Sequence, residues 1–178
     1  MVEPTDEELM ESYRAGDRTA LETLYVRHSP NVTAYLKAMT RSDASAQDLL
    51  QTTFVSVMRS ANRYERGTKV APWLFTIARN AALDTLRRQA KGVEVQDEEL
   101  REQVVEPAMP DQGLKDEITR ALEKLPASQR EAVVLHKVQG MDFEEVAQVL
   151  GVTSTAARIR AHRGYEKLRE LLAHLEAV

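Results

Sequence analysis

The chain contains no cysteine, which rules out disulfides and thiolate metal sites. Glycine occurs seven times and aromatics make up 5% of the residues, a poor stock for a β-sandwich. Its histidines, His28, His136, His162 and His174, are scattered without a ligand spacing, so no metal or other cofactor is expected. No apolar run approaches the roughly 20 residues of a membrane helix. The opening "MVEPTDEELMESY" lacks the basic-then-apolar order of a secretory signal. Carboxylate pairs, a nucleophile elbow and a phosphate loop are missing too, so an enzyme is not expected. These absences leave a soluble cytoplasmic protein without membrane insertion.

The charge is unevenly placed. Residues 1–90 carry 12 basic and 11 acidic side chains, and residues 115–178 carry 10 of each. Residues 91–114, "KGVEVQDEELREQVVEPAMPDQGL", carry 2 and 7 and include Gly92, Pro107, Pro110 and Gly113. This composition suits a flexible acidic linker. The expected architecture is all-α: two small helical domains, 1–90 and 115–178, joined by the linker 91–114.

In the first domain Asp6 can cap a helix ending at Gly16. Asp17 can cap another, with a kink near Pro30. Ser42 or Asp43 opens "ASAQDLLQTTFVSVMRSAN", where Leu50, Phe54, Val57 and Ala61 form a stripe at helical spacing. "RYERGTKVA" reads as a loop, and Pro72 suits the first position of "PWLFTIARNAALDTLRRQ". That helix has an apolar side, Trp73, Leu74, Ile77, Ala78 and Ala81, and a polar, largely basic remainder. The basic remainder suits either a solvated face or a nucleic-acid contact. Trp73 reads as a core anchor.

In the second domain one helix stops at Pro126, a second closes at Gly140, and a third runs from its cap Asp142 to Gly151. Thr153 or Ser154 then caps a fourth helix reaching about His174. A short helix, a glycine-containing turn and a longer helix make a helix-turn-helix, whose second helix leads into the major groove with its N-terminal residues. At about 100° per residue, Ala157, Ala161, Gly164, Leu168, Leu171 and Leu172 share one arc. Arg158, Ile159, Arg160, His162 and Arg163 lie on the rest of the surface. No carboxylate falls within 154–165, so nothing local neutralises arginines that can bind guanine edges or phosphates.

These segments resemble a known family. "LEKLPASQREAVVLHKVQGMDFEEVAQVLGVTSTAARIRAHRGYEKLRE" looks like the minus-thirty-five-binding region of bacterial RNA polymerase sigma factors. "AQDLLQTTFVSVMRS" followed by "APWLFTIARNAALDTLRR" is similar to their core-binding and minus-ten regions. The order and the short length match the extracytoplasmic-function type. The resemblance implies a non-enzymatic factor that joins core RNA polymerase and recognises promoter DNA. By the same resemblance, Gln47, Asp48, Gln51, Thr52 and Phe54 would face the polymerase. Arg63, Tyr64, Lys69, Arg79, Asn80, Asp84, Arg87 and Arg88 would meet the minus-ten element, the loop 62–71 pocketing a flipped base. Arg158, Ile159, Arg160, His162 and Arg163 would read the minus-thirty-five element, and the linker would thread toward the RNA exit path.

The chain departs from the family pattern at two places. Ala156-Ala157-Arg158-Ile159-Arg160 stands where the family has Thr-Val-Lys-Ser-Arg, so the promoter preference cannot be borrowed. Gln47 and Thr52 stand where the core-binding helix has acids. A phosphothreonine carries about −1.5 to −2 charges. Thr52, or Thr53 beside it, is therefore a candidate site for a serine/threonine kinase, with an anti-sigma factor as the other candidate regulator. The rival reading is a helix-turn-helix regulator that never joins polymerase.

Overall fold

The computed structural model describes residues 3–92 and 112–173, and among these every regular element is helical. The expected linker lies mostly on residues outside the described ones, as do His174 and the last residues. Helices α1 (Asp6–Arg14), α2 (Arg18–Thr40), α3 (Asp43–Ser60) and α4 (Val70–Gly92) form the first half. Helices α5 (Gln112–Glu123), α6 (Ala127–Val133), α7 (Phe143–Leu150) and α8 (Ser154–Leu172) form the second, with a π-helical turn at Val134–Val138.

Local chemistry sets the boundaries. Thr5, not Asp6, caps α1: its hydroxyl accepts from the Glu8 amide at 3.2 Å while Glu8 accepts from the Thr5 amide at 2.8 Å, a reciprocal capping box. Ser42 caps α3 and Thr153 caps α8. Helix α2 runs through Pro30 as one element. Leu24, His28, Val32, Tyr35 and Leu36 are buried on both sides of the proline, so packing holds the helix across the lost donor. Helix α4 starts at Val70, two residues before the expected Pro72, because Glu7 of α1 accepts from the Val70 amide at 3.1 Å. Pro72 then occupies the third position, where an intrahelical amide bond would be missing anyway. The expected single helix 127–140 divides into α6 and the π turn.

Leu50, Phe54, Val57 and Ala61 are all buried, as their spacing predicts, together with Val32, Tyr35 and Leu36 of α2 and Leu74, Phe75 and Ala78 of α4. Each of the larger aliphatic side chains among them, and each of Phe54 and Phe75, contributes about 1.5–3 kcal/mol. The second half packs Val133, Val134, Leu135, Val146, Val149 and Leu150 around Ala157 and Ala161. At Gly164 α8 passes close over α6. A Cβ there would lie 2.6 Å from Val133 Cγ2 and 3.3 Å from the Gln129 carbonyl, a space only glycine leaves open.

The halves are in contact: α2 and α4 pack against α5, α6 and α7. At the centre, buried Glu131 of α6 accepts from the Tyr35 hydroxyl at 2.8 Å and from Arg79 Nε at 2.7 Å. Around it, Lys69 Nζ meets Glu145 at 2.6 Å and Gln139 donates to the Asn31 carbonyl at 3.3 Å. Arg41, left-handed with φ 55°, donates to the Glu123 carbonyl at 2.7 Å, satisfying an acceptor at the end of α5.

Candidate nucleic-acid and partner surfaces

Helix α8 is aimed by what precedes it. Asp142 and Glu145 cap α7 reciprocally at 2.9 and 2.8 Å. Gly151, with φ 65°, turns the chain in a left-handed conformation that suits glycine. Thr153 accepts from the Ala156 amide at 3.2 Å. Ala157, Ala161 and Gly164 face inward and fully bury, while Leu168, Leu171 and Leu172 are half-buried. On the outer face Arg158, Ile159, His162 and Arg163 are exposed and Arg160 is half-buried. Ile159 is 47% exposed, an apolar side chain among cations that suits a thymine methyl. Glu166 is the acid near this set, 3.4 Å from His162. Arg158, Ile159, His162 and Arg163 of the five residues expected at the minus-thirty-five element are exposed along the first turns of α8, whereas Arg160, about 200° round from Arg158, is half-buried.

The eight residues expected at the minus-ten element divide. Arg63, Asn80, Asp84, Arg87 and Arg88 are exposed, with Asp84 and Arg87 paired at 3.3 Å. Tyr64 is not available to a base. It is 3% exposed, its hydroxyl donates to the Thr68 carbonyl, and its ring meets Trp73 edge-on at 5.3 Å. Burial pushes its phenol above the ordinary range. Trp73 is half-buried in the same contact, a packing role. Lys69 and Arg79 are taken up by glutamates of the second half. The hydrogen bond and charge of Glu145 hold the Lys69 ammonium above its ordinary range. Beside Arg79, burial and then Glu131 push the Tyr35 phenol well above its own, so Tyr35 is a donor to Glu131.

On α3, Gln47, Asp48, Gln51 and Thr52 are exposed in one row. Phe54, expected on that surface, is 7% exposed and packs edge-on against Tyr25 at 4.8 Å. Its ring instead floors an apolar hollow of about 410 Å³ with Leu21, Tyr25, Val26 and Met58. Val26 and Met58 are 72% and 54% exposed. The sequence reading missed Leu21, Tyr25 and Val26 of α2 and Met58 of α3. Their signal was apolar side chains out of phase with the buried stripe. Thr53 is fully buried and its hydroxyl donates to the Leu49 carbonyl at 2.7 Å, so burial removes it as a kinase site in this fold. Thr52 is exposed and donates to the Asp48 carbonyl at 3.0 Å.

Among the described residues no cluster of three metal-ligating side chains occurs, and no helix is long and apolar enough to cross a membrane.

Comparison with known proteins places both halves of the chain in known families. The family described as "Sigma-70 region 2" matches residues 24–92, and "Sigma-70, region 4" matches residues 115–168. The chain is 49% identical over 172 residues to RNA polymerase sigma factor CarQ of Myxococcus xanthus, covering 94% of this chain and 97% of the relative. It is 33% identical over 183 residues to ECF RNA polymerase sigma factor SigE of Mycolicibacterium smegmatis, covering 97% of this chain and 71% of that one. Among solved structures, CnrH in complex with the cytosolic domain of CnrY matches with a TM-score of 0.72 at 25% identity, covering 95% and 97% of the two chains. The sigma factor RpoE in complex with the anti-sigma factor NepR from Bartonella quintana matches at 0.72 and 26%, covering 85% and 96%.

Proposed function

Because the chain belongs to the extracytoplasmic-function class of bacterial RNA polymerase sigma factors, we propose that its three surfaces divide the work of initiation. The α3 row and the adjoining hollow grip core polymerase. The 62–71 segment and α4 open and hold the minus-ten element, and α8 reads the minus-thirty-five element. As a sigma factor it directs promoter recognition by the core enzyme rather than catalysing a reaction of its own. The working units are 1–90 and 115–178, with 91–114 as the acidic connector, in the cytoplasm where the polymerase is.

One observation carries this reading: an exposed polar row with an apolar hollow beside it on one half, and a basic recognition helix on the other. A helix-turn-helix regulator acting alone would need only the second. Run-off transcription with purified core polymerase on genomic DNA tests it. Specific transcripts that require the chain are expected; DNA binding without polymerase-dependent transcripts would favour the lone regulator.

The contact between the halves adds a step. The element names place the two sites about 25 base pairs apart, or ~85 Å at 3.4 Å per pair. A compact chain of this length has a radius of gyration of only ~16 Å. The closed arrangement cannot span that distance, so the halves must part on the promoter. Residues 93–111 can reach about 65 Å when fully extended, enough to permit it with the helices adding their own length. Parting releases Arg79 from Glu131 and Lys69 from Glu145, and both cations then face DNA.

Control by Thr52 phosphorylation is the finer part of the reading. With Gln47 and Thr52 in place of acids, Asp48 is the acid left in the row. A phosphate on exposed Thr52, one helical turn away, would restore charge-assisted bonds worth about 1.5–3 kcal/mol each. RpoE was solved with an anti-sigma factor, and such a partner holding the halves closed is the alternative control. Transcription by Thr52→Ala with a serine/threonine kinase present decides between them. Full activity of that variant would remove the phosphorylation switch.

A further inference from the structure

Phe143 is the first residue of α7, placed there by the Asp142–Glu145 capping box. Two side chains meet its ring. The His136 imidazole lies with its centroid 4.1 Å away at an interplanar angle of 27°. The guanidinium carbon of Arg158 lies 4.9 Å from the ring centroid. His136 is fixed in turn: it sits in the π turn, and its Nδ1 is 2.7 Å from the Met141 carbonyl, to which it donates. Among the described residues no carboxylate pairs with Arg158. An aromatic ring, backed by an anchored imidazole, is thus what orders this arginine.

We propose that Phe143 is a positioning residue for promoter reading, holding Arg158 in the orientation in which it meets the minus-thirty-five element. The inference rests on the reading of α8 as the recognition helix. Arg158 is the fifth residue of that helix, within the turns that lead into the groove. An arginine free in solvent loses rotamer freedom on binding, whereas one already held does not. A guanidinium held by its face keeps its in-plane N–H donors free for a base edge or a phosphate. Ring and cation attract through the ring quadrupole, which an aliphatic side chain of similar bulk lacks. An attraction of the exposed cation–π kind corresponds to about a two- to fivefold effect on discrimination.

The test uses the full chain assembled with core polymerase and a pool of DNA duplexes randomised across the upstream promoter element. Bound sequences are counted for the unsubstituted chain and for Phe143→Leu, Phe143→Tyr, Arg158→Ala and the Phe143→Leu/Arg158→Ala double variant. Arg158→Ala should flatten base preference at the positions it reads. Phe143→Leu should flatten the same positions by about two- to fivefold, Phe143→Tyr should keep the preference, and the double variant should look like Arg158→Ala alone. An unchanged preference in Phe143→Leu would overturn the proposal. So would a loss of equal size with and without Arg158, or a uniform loss on all sequences with a lowered unfolding midpoint. The recognition-helix reading survives those three results. If Arg158→Ala itself leaves preference unchanged, both fall.

Discussion

The two surfaces proposed to face DNA are both basic, yet they are occupied differently. On α4, Arg79 is 20% exposed at its side chain and is bound to Glu131, itself 6% exposed. Nearby Lys69 is bound to Glu145. On α8, Arg158 and Arg163 face solvent, and Arg158 leans on a ring rather than on an acid. Both glutamates come from the half that carries α8. The closed chain therefore covers the basic cations of one half with glutamates of the other, and leaves those of α8 open. If the two surfaces read DNA as proposed, the upstream reader is ready as folded, while the downstream reader waits for the halves to part.

The largest expected effect comes from breaking the covered side. Glu131→Ala strands Arg79 and the Tyr35 hydroxyl in a buried contact, a loss of about 3–5 kcal/mol for one partner of a buried pair. In the free chain this should favour the open form. Affinity of the free chain for single-stranded minus-ten DNA, read by fluorescence anisotropy, should rise by at most about two to four orders of magnitude, and small-angle scattering should show expansion.

Next is Gly164→Ala, which disturbs the framework of the open side alone. A Cβ 2.6 Å from Val133 Cγ2 should cost about 1–3 kcal/mol of overpacking. The unfolding midpoint and minus-thirty-five binding should fall while binding to core polymerase through α3 persists. Arg158→Ala or Arg163→Ala should cost about 1–3 kcal/mol where a base contact is lost, or reduce the salt slope by about 1 where a phosphate contact is lost. Promoter binding titrated across salt concentrations separates the two. The smallest effect is expected from Lys69→Ala. Its ammonium is exposed and such pairs are weak, so the free chain should open barely more than the unsubstituted one.

Much of the fold was legible because it is local. The 3.6-residue stripe in α3, the caps Asp17, Asp142 and Thr153, and the left-handed Gly151 are each set by neighbours a few positions away. The exposure of Arg158, Ile159, His162 and Arg163 was legible for the same reason: one helix carries them all. The covered surface was not. Arg79 and Glu131 are 52 positions apart, and Tyr35 and Glu131 are 96 apart. In "SQREAVV" Glu131 looks like any solvated helical acid. Tyr64 and Phe54 were placed on contact surfaces by resemblance, but burial against Trp73 and Tyr25 decided their roles. The π turn at Val134–Val138 has no pattern of its own, since the apolar residues there suit an α-helix equally well.

The distance between the halves tests their parting on the promoter. Because the chain has no cysteine, Ala15→Cys and Gln148→Cys, both at exposed positions on different halves, give two unique sites for a donor and an acceptor dye. Energy transfer is then measured in the free chain and in the assembled complex with core polymerase and a promoter it transcribes. High transfer is expected in the free chain, with its collapse on the promoter. Equal transfer in both states, with transcription intact, would contradict the parting of the halves.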